Sequence, residues 1–281
     1  MFSGLFSGFM VGTWLQASVM AVVAGAVGFF VVLRGSSFAA HAIPQGAFTG
    51  AAGAALIGAN TLAGVGTFSL LGVVAIARWG RRGQHDVVTA LCLVTLLGVG
   101  SLFLSMSTEY AEQTFSLLFG EPLAVSSADL LPTAALGAGC ITMVVVLFRP
   151  LMLSSIAPEL AAARGIRPAR VELLFLLAVG VATTMALPVV GALLVFSLMI
   201  GPPATARFVT DRPLQAMAIS GGLGLITVWV SITASFWSNW PIGFFVGAFA
   251  VVWYVLGRCL ARWRRKPVRA VALELAGSGS R

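Results

Sequence analysis

The chain has 281 residues, of which 59% are hydrophobic and only 9% charged, with a mean hydropathy of +1.00. A water-soluble domain carries about 25% charged and roughly 45–50% apolar residues, so a soluble globule, a disordered tail and a nucleic-acid module are all excluded. The net charge of +8 therefore reports on topology: the 17 Lys and Arg are absent from the first 33 residues and then fall in tight groups between apolar runs.

In chain order, apolar runs bounded by breakers predict membrane-spanning helices at 11–33, 38–58, 61–77, 86–106, 130–148, 171–186, 188–206, 214–236 and 241–258. The expected fold is all-α and polytopic with about nine transmembrane helices, or eight. The alternatives turn on Leu187-Pro188, where a short link would have to reverse the chain, and on 114–125, a re-entrant turn or an outer surface helix. The first residues lack the positive start of a cleaved signal peptide, so they are expected to stay as part of the first span. Residues 1–260 form a single transmembrane domain, and 261–281 a basic cytoplasmic tail that is partly disordered. This tail reads either as a positive clamp on the last span or as a lipid-headgroup patch. Cys92, Cys140 and Cys259 show no C-x-x-C spacing and read as packing residues.

Charge gives the orientation. With the N-terminus outside, the inner connections carry Arg34, then Arg78, Arg81 and Arg82, then Arg149 to Arg170, then Arg207 and Arg212, and finally Arg258 to Arg281. The outer connections carry no Lys or Arg, and the longest holds Glu109, Glu112, Glu121 and Asp129. The positive-inside rule gives N-terminus out and C-terminus in. Trp79, Trp237, Trp240, Trp253 and Trp263 sit near span ends as interfacial anchors.

Several chemistries are missing. Lys266 is the only lysine, so no G-x-x-x-x-G-K-[ST] loop exists and ATP use, if any, belongs to another chain. Histidine occurs only at His41 and His85, which excludes an H-E-x-x-H zinc helix, and no span carries two facing aspartates. Intramembrane proteolysis and proton pumping are therefore disfavoured.

Three segments remain. In the second span, His41 and Gln45 are four residues apart and share a helix face, Pro44 frees a carbonyl one turn earlier, and glycines such as Gly46 allow close helix approach. A histidine in an apolar helix either lines a path or is satisfied near the interface by water or a backbone carbonyl. In the longest inner connection, Pro158 suits a first helical position, Glu159 the positive helix start and Gly165 the residue past the end, which predicts a two-turn helix over 158–165. It is either a connector lying on lipid or an element inserted into a motor subunit. In the third segment, Gly201, Pro202 and Pro203 are expected to bend or unwind a span near its inner end, or simply to terminate it.

Together these segments resemble the permease subunit of metal-type ABC importers, which bring zinc, manganese or related divalent ions into bacteria. Gly191 to Arg207 is similar to that family's G-x-L-L-V-x-x-L-M-x-x-P-A-A-x-A-R stretch, with Pro203 in place of alanine. Arg149-Pro150, Pro158-Glu159 and Ala163-Arg164-Gly165 resemble its R-P…P-E-x-A-x-A-x-G loop, and Leu118 to Ser126 its outer L-F-G-x-x-L-x-V-S. The resemblance implies ATPase coupling through Pro158, Glu159, Ala163, Arg164 and Gly165. It also implies an extracytoplasmic metal-binding protein docking at Glu109, Glu112, Glu121 and Asp129, and a homodimer in the bacterial plasma membrane. A translocation path would involve His41, Pro44, Gln45, Gly46, Gly201 and Pro202, with His41 and Gln45 as transient metal ligands and no bound cofactor. The family often reads G-D-A-[IL]-S-H-A-x-x-P-G at the second span. Alignment on Gly50, preferred over one that equates His41 with the family's histidine and puts Pro44, Gln45 and Gly50 out of register, places His41 at its Asp and Gln45 at its His, a softer and less charged pair that leaves zinc, manganese or another small solute open. The alternative class is a motor-independent secondary transporter or channel.

Overall fold

The computed structural model describes residues 8–80, 85–106 and 130–278. Among these, every regular element is a helix: α1 (Gly8–Arg34), α2 (Ser37–Leu56), α3 (Thr61–Trp79), α4 (His85–Ser105), α5 (Leu130–Val146), α6 (Phe148–Ile156), α7 (Pro158–Ala163), α8 (Pro168–Val190), α9 (Ala192–Val209), α10 (Pro213–Ser238) and α11 (Ile242–Ser278). Each apolar run read from the sequence overlaps one of the longer helices. By length and composition, 6 helices can cross a membrane, or up to 7 if α5 and α6, bent by 55°, form one broken span. α2 falls outside that set because His41, Pro44, Gln45 and its glycines lower its hydropathy. The stretch 114–125 lies outside the described residues. The segment 261–278, expected as tail, continues α11 as helix.

Two expectations about breaks are corrected. Helix α8 runs through Pro188 and ends at Gly191, whose φ of 83° and ψ of 161° only glycine adopts without strain. A proline in the last turn removes a single amide donor, so it does not by itself stop the helix. Helix α9 likewise continues through Pro202 and Pro203 to Val209 without unwinding. Pro203 leaves the Met199 carbonyl without its amide, and that carbonyl packs directly against Gly28 of α1, where any Cβ would collide with it.

Helix α1 forms the centre of the larger core, packed against α10, α9, α8 and α5, while α2 lies among α3, α4, α8 and α9. Within their apolar windows α1 is 72% buried and α8 67%, against 17% for α4 and α11, so the former pair is central and the latter peripheral. Lipid is as apolar as leucine, so helices here associate by close packing and interhelical hydrogen bonds rather than by hydrophobic drive. The α1–α10 seam shows both: a Cβ on Gly25 would stand 2.7 Å from the Gly221 Cα, and the Ser220 hydroxyl donates to the Gly25 carbonyl at 2.7 Å. Trp253, read as an anchor, instead donates from Nε1 to Thr227 Oγ1 at 3.0 Å and ties α11 to α10.

The basic connections converge. Arg34, Asp86, Ser154, Ser155 and Glu172 line one polar pocket of about 330 Å³, and Arg207 donates to the Val32 carbonyl at 3.3 Å. The ends of α1, α6 and α9 and the starts of α4 and α8 thus share one end of the bundle.

Candidate translocation path and coupling face

Helix α2 is enclosed along most of its length: 14 of its 20 residues, from Ala39 to Ala54, are buried. Its small residues make that possible. A Cβ on Gly50 would collide with the Gly64 carbonyl of α3, and one on Gly64 would stand 2.7 Å from the Ala54 Cβ. On the α4 side, a Cβ on Gly46 would stand 2.5 Å from Leu96 Cδ1, and the Thr49 hydroxyl donates to the Leu96 carbonyl at 2.5 Å. The helix continues through Pro44, so the Ala40 carbonyl loses its amide partner while the axis stays unbroken.

His41 sits just over one turn into α2. Its ring is partly buried and meets the Phe196 ring of α9 edge to face, 4.9 Å between centroids. Nδ1 is enclosed with no hydrogen-bond partner among the described residues. An enclosed, unmatched nitrogen costs about 1–3 kcal/mol, which a passing cation ligated there would relieve. Gln45 follows one turn on, only 5% exposed, and by its spacing shares that helix face. Neither side chain carries a formal negative charge. Among the described residues no three His, Cys, Asp or Glu side chains gather into a metal-holding group.

The other residues expected on the path pack against neighbouring helices. Gly46 faces Leu96 of α4, and Gly201 packs on Ala250 of α11, where a Cβ would lie 2.6 Å from the alanine Cβ. Pro202 is buried one residue beyond Gly201. Phe196, which the sequence reading did not single out, is the α9 residue that meets His41.

At the basic end, α7 forms as expected with Pro158 in its first turn and Glu159 beside its positive start. Gly165, at φ 77° with open space around its Cβ position, turns the chain toward α8. Pro158, Glu159, Ala162, Ala163, Arg164 and Gly165 are exposed while Ala161 is buried, so one face holds α7 to the bundle and the other is presented outward. Glu109, Glu112, Glu121 and Asp129 lie outside the described residues.

Sequence reasoning missed the network beneath this element. Arg34, read only as a topological marker, pairs with Glu172 of α8 and donates to the hydroxyls of Ser154 at 2.9 Å and Ser155 at 3.3 Å on α6. Its guanidinium lies 5.2 Å from the Phe175 ring centroid. The side chain is 12% exposed and that of Glu172 25%, so removing either partner would strand an enclosed charge. A carboxylate at the start of an otherwise apolar helix is the signal that could have pointed to it.

Comparison with known proteins agrees with this architecture. The model of the ABC 3 transport family matches residues 7–261. The manganese import system permease protein ScaB of Streptococcus parasanguinis is 26% identical over 266 residues, covering 94% of this chain and 95% of that protein. The chelated iron transport system membrane protein YfeC of Yersinia pestis is 27% identical over 232 residues, 82% of this chain and 78% of that one. PsaBC from Streptococcus pneumoniae, solved in complex with Fab, shares the fold with a TM-score of 0.82 at 24% identity, covering 91% of this chain and 93% of its own. Because the family model takes in the clamped α2, the outward-facing α7 and the helices between and around them, the chain belongs to the ABC 3 transport family and is a multi-pass membrane permease, a transport component and not an enzyme.

Proposed function

We propose that this chain is the membrane-spanning subunit of a bacterial ATP-driven importer of divalent transition-metal ions, with manganese as the cargo favoured over zinc. The observation that carries the reading is the pair on α2, the enclosed unpartnered Nδ1 of His41 and the amide of Gln45 one turn on. Imidazole accepts most first-row metals, whereas an amide oxygen is a hard donor that suits manganese better than zinc. Two neutral donors also hold a divalent ion loosely, which favours release over capture. The names of the relatives point the same way, to manganese and chelated iron.

In this reading nine helices cross the cytoplasmic membrane with the N-terminus outside, and the basic end of the bundle faces the cytosol. A separate ATPase subunit engages Pro158, Glu159, Ala163, Arg164 and Gly165. A second copy of the chain completes the path, and a metal-binding protein docks at the opposite, acidic end.

The test is uptake into proteoliposomes holding this chain and its ATPase subunit, with the external binding protein supplied. ATP-dependent manganese accumulation that persists when membrane potential and proton gradient are collapsed is the expected result. Accumulation without the ATPase, driven by either gradient, would establish the secondary-transporter class instead.

A further inference from the structure

We propose that Arg34 is the positioning residue through which movement of α7 reaches the path helix, an inference that rests on the ATP-driven import reading above. Packing shows why a link is needed. Helix α7 packs on α6 and α8, and α6 on α5, α1 and α8, but neither α6 nor α7 packs substantially on α2, which carries His41. A push delivered at α7 therefore reaches α2 only through an intermediary: α8 packs on both, and a link at the start of α2 would be a second route.

Arg34 provides one. Its guanidinium holds the two arms that flank α7: Ser154 and Ser155, four and three residues before Pro158, and Glu172, seven residues after Gly165. The same residue ends α1 and stands three residues before Ser37, where α2 begins. Gly35 between them, at φ 70° with open space around it, makes that corner a tight turn with little length to absorb a displacement. The planar fork reaches both arms at once, which a lysine ammonium on its flexible stem would not reproduce with the same geometry. Rigid elements joined through one packed, charge-assisted node move together, so tilting α6 and α8 turns the start of α2 and with it His41.

The test measures manganese imported per ATP hydrolysed by the reconstituted complex of chain, ATPase subunit and external binding protein. Arg34→Gln and Glu172→Gln are expected to lower that ratio about tenfold, the factor that one lost charge-assisted hydrogen bond corresponds to, while the ATPase subunit still copurifies and ATP is still hydrolysed. Ser154→Ala with Ser155→Ala is expected to lower it less, and Arg34→Glu combined with Glu172→Arg to recover part of the loss of the single charge changes. An unchanged ratio in Glu172→Gln and in the double serine variant overturns the proposal, and these two decide the matter if Arg34→Gln does not assemble. Uptake and hydrolysis falling in parallel, with the ratio kept, assigns the network a merely structural role and also overturns it. Wild-type complex that moves no manganese with ATP refutes the import reading itself.

Discussion

Helix α2 and the α6–α7 element are both short polar-bearing segments, yet they are held in opposite ways. Helix α2 is gripped by backbone: glycines and alanines let α3 and α4 approach until Gly50 faces the Gly64 carbonyl with no room for a methyl group. The α6–α7 element is gripped by side chains, chiefly the fork of Arg34, and leaves most of α7 exposed. The first arrangement fixes donors in place, and the second lets an element be moved from outside without melting the bundle.

The comparison breaks most severely at Gly50. Replacing Gly50 with Leu should drive α2 and α3 apart, and overpacking of this kind costs about 1–3 kcal/mol or more. The expected outcome is loss of most folded protein, read as monodisperse yield in detergent and a lowered Tm. An undiminished yield would show that the α2–α3 contact is loose. Next in size, Glu159→Arg with Gly165→Pro attacks α7 alone. Arginine at the positive helix start reverses a favourable charge, and proline cannot adopt the φ of 77° at Gly165. Copurifying ATPase subunit should fall about tenfold, roughly 1.4 kcal/mol of binding, while the permease itself folds normally. Normal copurification would remove α7 from the docking face. The smallest effect is expected for His41→Ala, which removes one weak ligand: manganese uptake should fall about fivefold, near 1 kcal/mol, with ATPase association intact. Uptake equal to wild type for every divalent ion tried would take His41 off the path.

Apolar runs and their breakers located the helices well, because in a bilayer each backbone amide must be satisfied within its own helix and few solutions exist. The finer breaks were less legible. Pro188 looked like the end of a span, but the chain breaks at Gly191, since a proline near a helix end costs one bond while a positive φ needs a particular residue. For the candidate site, i, i+4 spacing placed His41 and Gln45 on one face of a helix but left their role open. Phe196 and the Arg34–Glu172 pair were not legible: those partners lie 155 and 138 residues apart in the chain, and only folding brings them together. Gly201 and Gly46 admit Ala250 and Leu96 of neighbouring helices, and in sequence such a glycine looks the same as one that opens a passage.

Alanine and glycine make up most of α2 between Ala39 and Ala55, and such residues have no rotamers to exchange. If α2 walls the conduit, as proposed, swinging side chains aside would not open it. Widening would then require shifting whole helices as stiff rods, with force applied at a distance, and the proposed lever at the basic end would outweigh any latch beside the cargo.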